Sequence, residues 1–284
     1  MPSPPYINVK ATHRLHFNLL FGTRRSRDIL HGHISRQAIA ICHDVCDRSG
    51  YHLLSVVARA DRLEALLALE PEHTISSVVQ LLRGNISRGL FQEFPDLERQ
   101  IGRRNLWAGS YRVYSVGIAT TAAVKAYLDS QYAHHALTRQ LPRVVARFAL
   151  PDRESYLQFN KSRHAVHLLH YHYVFSVKYH AHVLGEEHAR YLTHLMQRIC
   201  AAKGYALLTL EVAENHMHVL ISLRPADAPQ DVALAILNNT SYLTLRRFQR
   251  FRARYPDGQL WMPAYFVRSV GTKTLAQARS YFRQ

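Results

Sequence analysis

Trp107-Ala-Gly-Ser-Tyr111-Arg-Val-Tyr-Ser-Val-Gly117 and Trp261-Met-Pro-Ala-Tyr265-Phe-Val-Arg-Ser-Val-Gly271 are one string, W-x-x-x-Y-x-V-x-S-V-G, written twice 154 residues apart (Trp107 to Trp261). Ten residues beyond each glycine stands a tyrosine, Tyr127 or Tyr281. Working back from the string, the same offset pairs Asn85 with Asn239, Pro71 with Pro225, Gly50-Tyr51 with Gly204-Tyr205 and Cys46 with Cys200. A match this long without insertion, in a chain of 284 residues, means two tandem copies of one domain. Each copy is large enough to bury its own core. At one place the copies part: His216-Met217-His218 in copy two stands where copy one has Arg62-Leu63-Glu64.

Both copies read as the same order of elements. Alternating apolar residues (Leu15, Phe17, Leu19, Phe21) predict a first strand near His13–Thr23, repeated near Leu168–Lys178. Helices follow near Ser35–Arg48 and Glu187–Lys203, each closed by a glycine, Gly50 or Gly204. Short runs rich in leucine and β-branched residues predict strands at Tyr51–Ala58, Leu63–Leu69, Tyr205–Val212 and His216–Leu223. Ile75, Val78, Val79, Leu82, Ile86 and Leu90 then form one helical stripe, with Thr74 as its N-cap. A last strand precedes each glycine and a last helix follows it. The expected class is α+β: two tandem ferredoxin-like (RRM-like) domains with antiparallel sheets. Residues 1–131 form copy one, 132–164 a basic linker and 165–284 copy two.

The formal charge of +16 and the isoelectric point near 10.1 point to a polyanionic partner. The helix of copy two runs on into Arg246, Arg247, Arg250, Arg252 and Arg254, which are read as phosphate contacts. Three cysteines make no disulfide framework, and Cys42 and Cys46 read as an apolar helix face rather than a metal site. The start, Met1-Pro2-Ser3-Pro4-Pro5, lacks the apolar segment of a signal peptide, and no run approaches the ~20 apolar residues of a membrane span. A soluble, cytoplasmic protein with no membrane partner is expected.

His216 and His218, at i and i+2 on a strand, leave the same face and form a base for a divalent metal. The segment Glu211-Val-Ala-Glu-Asn215-His216-Met217-His218-Val219-Leu220-Ile221 resembles the HUH motif (histidine, bulky hydrophobe, histidine). With Trp261…Gly271 and Tyr281 downstream, nearly all of both copies resembles the one-tyrosine HUH transposases of small insertion sequences and the REP-associated tyrosine transposases. The resemblance implies a dimer that binds single-stranded DNA, often at hairpins, and cuts it with a helix-borne tyrosine to leave a 5′-phosphotyrosine link. It also implies a divalent ion, magnesium or manganese, on the two histidines and on a glutamine one turn beyond the tyrosine. The site is commonly composite, with histidines and tyrosine helix from different protomers.

Against that scheme the copies have complementary losses. Copy one has Tyr127 and Gln131 on one helical face but no histidine pair; copy two has His216 and His218, but Tyr281 is followed only by Phe-Arg-Gln284. The expected molecule is a fused, intramolecular pseudo-dimer, monomeric as a chain. Its single composite site takes Tyr127 as nucleophile and His216, His218 and Gln131 as metal ligands. Arg62 stays protonated and cannot be a ligand. Tyr281 has two readings: a relic, which we favour, or a second nucleophile reaching the histidines in cis, with Gln284 as a substitute ligand. Trp107, Trp261, Tyr111 and Tyr265 read as packing residues, and His170 and His172 as ordinary strand histidines. The rival function is a catalytically decayed, domesticated hairpin-binding protein. A third, an RNA-binding module, would need exposed sheet aromatics in a pattern absent from the chain.

Overall fold

The computed structural model describes residues 4–102, 105–121, 123–124, 126, 142–150, 158–274 and 276–278. Copy one runs through β1 (Lys10–Arg14), β2 (His16–Gly22), α1 (Gly32–Ser49), β3 (His52–Arg59), β4 (Arg62–Ala68), α2 (Ile75–Glu93), α3 (Asp96–Ile101) and β5 (Tyr111–Val116). Two strands lie between the copies, β6 (Val144–Ala149) and β7 (Asn160–Lys161). Copy two continues with β8 (Ala165–Leu168), β9 (His170–Ser176), α4 (Glu186–Lys203), β10 (Ala206–Ala213), β11 (His216–Ser222), α5 (Pro229–Arg247), α6 (Gln249–Arg254) and β12 (Ala264–Val270). The local signals are where the sequence puts them. Gly50 and Gly204 cap α1 and α4 in the left-handed region (φ 69° and 72°), and the Thr74 hydroxyl accepts from Ser77 N–H at 3.1 Å.

The strands form two six-stranded sheets, in the orders β1-β12-β9-β11-β10-β6 and β3-β4-β2-β5-β8-β7. Each holds four antiparallel strands of one copy plus strands from elsewhere. The single first strand expected near His13–Thr23 is two strands that part at Leu15: β2 stays in its own sheet, while β1 pairs parallel with β12 of copy two. Copy two returns the exchange, since β8 pairs parallel with β5. Each antiparallel core therefore gains one parallel neighbour, because the incoming strand is related to the resident one by a pseudo-two-fold axis, not by a hairpin. The stretch expected to be a plain linker supplies β6, which extends the copy-two sheet beside β10.

Strand alternation divides each sheet into two faces. Tyr171, Tyr173 and Phe175 share one face of β9, and Tyr173 and Phe175 pack against Tyr265 and Trp261 with ring centroids 6.2–6.5 Å apart. Met217, Val219 and Ile221 of β11 join them in the main core. Both tryptophans are buried, and their indole N–H groups donate to Arg83 O (3.0 Å) and Thr240 Oγ1 (2.7 Å), so packing is their role. Cys42 and Cys46 are likewise buried core residues.

Several of the repeated residues meet where the copies touch. Ser115 Oγ lies 2.5 Å from Val270 O, and Ser269 Oγ lies 2.5 Å from Val116 O, its mirror. Ser76 N–H donates to Pro225 O and Gln230 N–H to Pro71 O, both at 2.9 Å. A Cβ on Gly117 would fall far inside contact distance of Ser269 O, and one on Gly271 inside that of Ser115 O. The two glycines let the backbones cross.

Candidate functional site

The opposite face of the copy-two sheet carries the titratable groups. His216, His218 and Leu220 of β11 share it with His172 of β9, Glu211 of β10 and Arg268 of β12. Glu211 sits directly across from His218 and, on its other side, from Arg147 of β6. Glu211 is fully buried, neither carboxylate oxygen has a hydrogen-bond partner among the described residues, and burial pushes its carboxyl up to about 7.

The histidines are held by their neighbours. His216 Nδ1 lies 2.7 Å from Asn215 Oδ1, an acceptor, so Nδ1 carries a proton and donates it to the amide oxygen. His172 is 2 % exposed, and burial, with the Arg268 charge beside it, holds it down to about 3, so it is neutral. Arg268 Nε–H donates to His172 Nδ1 at 3.1 Å; a guanidinium can only donate, so the His172 proton is on Nε2. That Nε2 lies 3.0 Å from His218 Nδ1, and the two rings stack at 5.2 Å. Neutral His218, accepting at Nδ1, carries its own proton on Nε2. A ligand bond from Nε2 therefore trades away the contact with His172.

Copy one closes over this face. Past Gly117 the chain bridges to copy two (Gly117 with Thr274, Thr120 with Gly271) and turns helical at Thr121, whose N–H donates to Gly271 O at 2.8 Å. Val124 packs against Leu208, Leu220 and Val270 of copy two. Ala119, Ala123 and Val124 line one cavity of about 380 Å³ together with His172, His218, Phe266 and Arg268. Reciprocally, Ala278 packs against Leu66 and Val116 of copy one.

At the equivalent place on copy one, Arg62 Nε pairs with Glu64 Oε1 at 2.8 Å and Arg62 Nη1 with Asp61 Oδ1 at 2.9 Å. Asn18 Nδ2 donates to Tyr114 OH where copy two has His172 and Arg268. An ion-paired cluster of one guanidinium and two carboxylates stands in the place of the histidines.

Tyr127, Gln131 and Tyr281 lie outside the described residues. Among the described residues, no three His, Cys, Asp or Glu side chains are arranged to hold a metal; His216 and His218 form a pair, with rings 4.9 Å apart. Arg246, Arg247, Arg250, Arg252 and Arg254 are all exposed. The one long helix expected to carry them breaks at Phe248, whose extended backbone (φ −116°) separates α5 from α6 and buries Phe251. The sequence reading took His172 for an ordinary strand histidine and passed over Glu211 and Arg268. Comparing the two copies at their fixed offset would have found all three, since each is replaced by an unrelated residue (Asn18, Val57, Tyr114). No helix of the described residues is long and apolar enough to cross a membrane.

Known proteins match this chain over about one copy's length. The ISDra2 transposase TnpA of Deinococcus radiodurans is 31% identical over 125 residues, which are 44% of this chain and 89% of that protein. The transposase of insertion sequence element IS200 from Salmonella typhimurium is 26% identical over 125 residues, 44% of this chain and 82% of its own. Among solved structures, one of a REP-associated tyrosine transposase bound to a REP hairpin aligns with 48% of this chain and 73% of its own, at 13% identity and a TM-score of 0.29. The family described as "Transposase IS200 like" matches twice, over residues 11–131 and 165–284. The chain belongs to the IS200-like transposase family, with two family domains fused in tandem into a pseudo-two-fold pair.

Proposed function

We propose that the chain cuts and rejoins single-stranded DNA, through a 5′-phosphotyrosine intermediate, at one composite site. Tyr127 and Gln131 come from copy one, His216 and His218 from copy two. The observation that carries this reading is the shared cavity: the start of the copy-one helix that leads to Tyr127 lines it together with His218. The donor set fits a divalent metal, since two imidazoles side by side on one strand face, with rings 4.9 Å apart, and an amide oxygen suit such an ion. A magnesium or manganese ion bound by His216, His218 and Gln131 would polarise the scissile phosphate and offset transition-state charge.

The chain's own groups do the rest. The Tyr127 phenol oxygen attacks phosphorus and forms the O–P bond as the P–O3′ bond breaks. The phenol gives its proton to solvent, and the departing 3′ oxygen takes one up as a free hydroxyl. Attack by a 3′-hydroxyl on the phosphotyrosine reverses the step and frees Tyr127. Arg268, on the cavity wall, supplies fixed positive charge for the phosphate, and the exposed arginines of α5 and α6 hold flanking DNA, including hairpin stems. We read Tyr281 as a relic, supported by Ala278, three residues before it, which packs on the copy-one sheet beside Leu66.

Covalent trapping tests the proposal. The protein is incubated with manganese and single-stranded oligonucleotides tiled across the flanks of its own gene, and denaturant-stable adducts are mapped. A DNA-linked peptide containing Tyr127 supports the composite site. One containing Tyr281 means catalysis in cis. Hairpin binding with no adduct on any oligonucleotide means a decayed, binding-only protein.

A further inference from the structure

The turn after β2 has no role in the site just described, yet it carries the densest positive charge of copy one. Arg24, Arg25 and Arg27 line a cavity of about 210 Å³ together with Ile101 and Gly102. Arg27 is oriented by donating from Nη1 to Gln100 O at 2.6 Å. Arg25 and Arg27 form no ion pair among the described residues. The sequence adds Arg103 and Arg104 immediately after Gly102, and Asp28 is the one acid in the turn.

Copy two supplies an internal control. Its equivalent turn has the same unusual backbone, with Tyr179 and His180 at φ 61° and 49° where Arg25 and Ser26 have 57° and 50°. Non-glycine residues in this region cost on the order of 1 kcal/mol each, so the fold imposes the shape on both copies. The side chains differ. Copy two has Lys178-Tyr-His-Ala181 in place of Arg24-Arg-Ser-Arg27, and its one cation, Lys178, is tied to Asp257. Asp257 falls on the repeat position of Arg103. Copy one has thus exchanged an acid for a cation while gaining arginines around a cavity.

The turn is also hydrogen-bonded beside the first site residue of each copy. Thr23 N–H donates to Asp61 O at 2.8 Å, beside Arg62; Val177 N–H donates to Asn215 O at 2.8 Å, beside His216. Planar guanidinium forks match the oxygens of a phosphodiester, and released counterions add a salt-dependent drive.

We propose that the turn Arg24–Arg27, with Ile101 and Gly102, is a binding site for backbone phosphates of DNA, which converts the erased half of the molecule into a docking surface for the strand held at the other half. The assignment rests on the reading of the partner as DNA.

The test is fluorescence anisotropy in EDTA, using a DNA hairpin with a single-stranded flank, across a series of potassium chloride concentrations. Arg25→Glu/Arg27→Glu should weaken binding at least about tenfold and lower the slope of log affinity against log salt by roughly 0.7 to 0.9 per lost phosphate contact. Arg190→Glu/Arg198→Glu, exposed residues of α4 with the same charge change, should leave the slope unchanged. Equal losses in the two doubles would assign the effect to net charge and overturn the site. Should the first double fold poorly, Arg25→Glu alone suffices, because Arg25 is exposed; it should lower the slope by one contact, and an unchanged slope overturns the site. Adduct formation by the wild type alongside unaltered binding by the Arg25 and Arg27 variants would sink this site and spare the proposed function. Arginine-dependent binding with no adduct would do the reverse, and a wild type that binds no DNA would end both.

Discussion

On the face of its sheet turned toward the helix of the other copy, copy two carries His216, His218, Glu211, His172 and Arg268, and copy one carries Arg62, Glu64, Val57, Asn18 and Tyr114 at the same places. All five pairs differ in chemical type. Behind the same strands, Phe21 and Phe175, Val113 and Val267, and Tyr111 and Tyr265 are kept. A strand offers its two faces to different tasks, so one face can be rewritten while the other goes on filling the core. The arginine and glutamate of copy one pair with each other in the place of the two histidines.

The comparison breaks most sharply at the nucleophile. Tyr127→Phe is expected to remove the covalent DNA adduct, a loss of at least about three orders of magnitude in cleavage, while Tyr281→Phe leaves it. His216→Ala should abolish cleavage with hairpin affinity retained. Adducts that survive Tyr127→Phe and vanish with Tyr281→Phe would reverse the assignment of the halves.

Next come the crossing points. Gly271→Ala drives a Cβ into the backbone of Ser115 and should cost several kcal/mol, roughly 3 or more, in chemical denaturation. Gly22→Ala, with nothing within 4 Å, should cost less than about 1 kcal/mol. Equal effects would mean that the two backbones do not meet at the motif glycines.

The pH dependence of stability tests the seam from another side. His170 is 2 % exposed, 3.2 Å from Thr121 Oγ1 of copy one, and held down to about 4 by burial. The unfolded chain takes up this proton near pH 6.5 and the folded chain only near 4, so stability is full above about 6.5 and falls as pH drops toward 4. The loss reaches roughly 3 kcal/mol for this group. His170→Gln should flatten that part of a stability profile measured between pH 7 and 4, and an unchanged slope would show His170 to be solvated.

Smaller effects are expected from the polar neighbours. Arg62→Met leaves Glu64 buried without its guanidinium and should cost about 1 to 3 kcal/mol, discounted because Arg62 is partly exposed. No change in the melting midpoint would make the ion pair ornamental. His172→Phe keeps a ring against His218 but removes the competing hydrogen bond, so manganese affinity by titration calorimetry should rise several-fold, on the order of 1 kcal/mol. A fall instead would show that His172 orients His218 for the metal.

Much of this was readable without coordinates. The fixed offset announced two domains, strand and helix periods placed nearly every element, and His216-Met217-His218 against Arg62-Leu63-Glu64 marked which half keeps its histidines. Less readable was the break of the long helix at Phe248, because the arginines on either side continue a helical pattern until Phe251 finds a buried site of its own. The strand at 144–149 was missed because it belongs to no repeat, and its partner β10 is chosen by an open sheet edge.

Sequence by itself determined the duplication, the class of each domain and the unequal chemistry of the halves, since periodicity and motif spacing are local and survive in one dimension. Tertiary structure decided how the halves interlock. The parting of the first strand at Leu15, the crossing at Gly117 and Gly271, and the packing of Val124 on Leu220 and of Ala278 on Leu66 join residues about a hundred or more positions apart. It also decided the gathering of His172, Glu211 and Arg268 around His218, which brings residues of four separate strands onto one face. Such contacts depend on which surfaces fit once both sheets exist, and no pattern along a single strand encodes that fit.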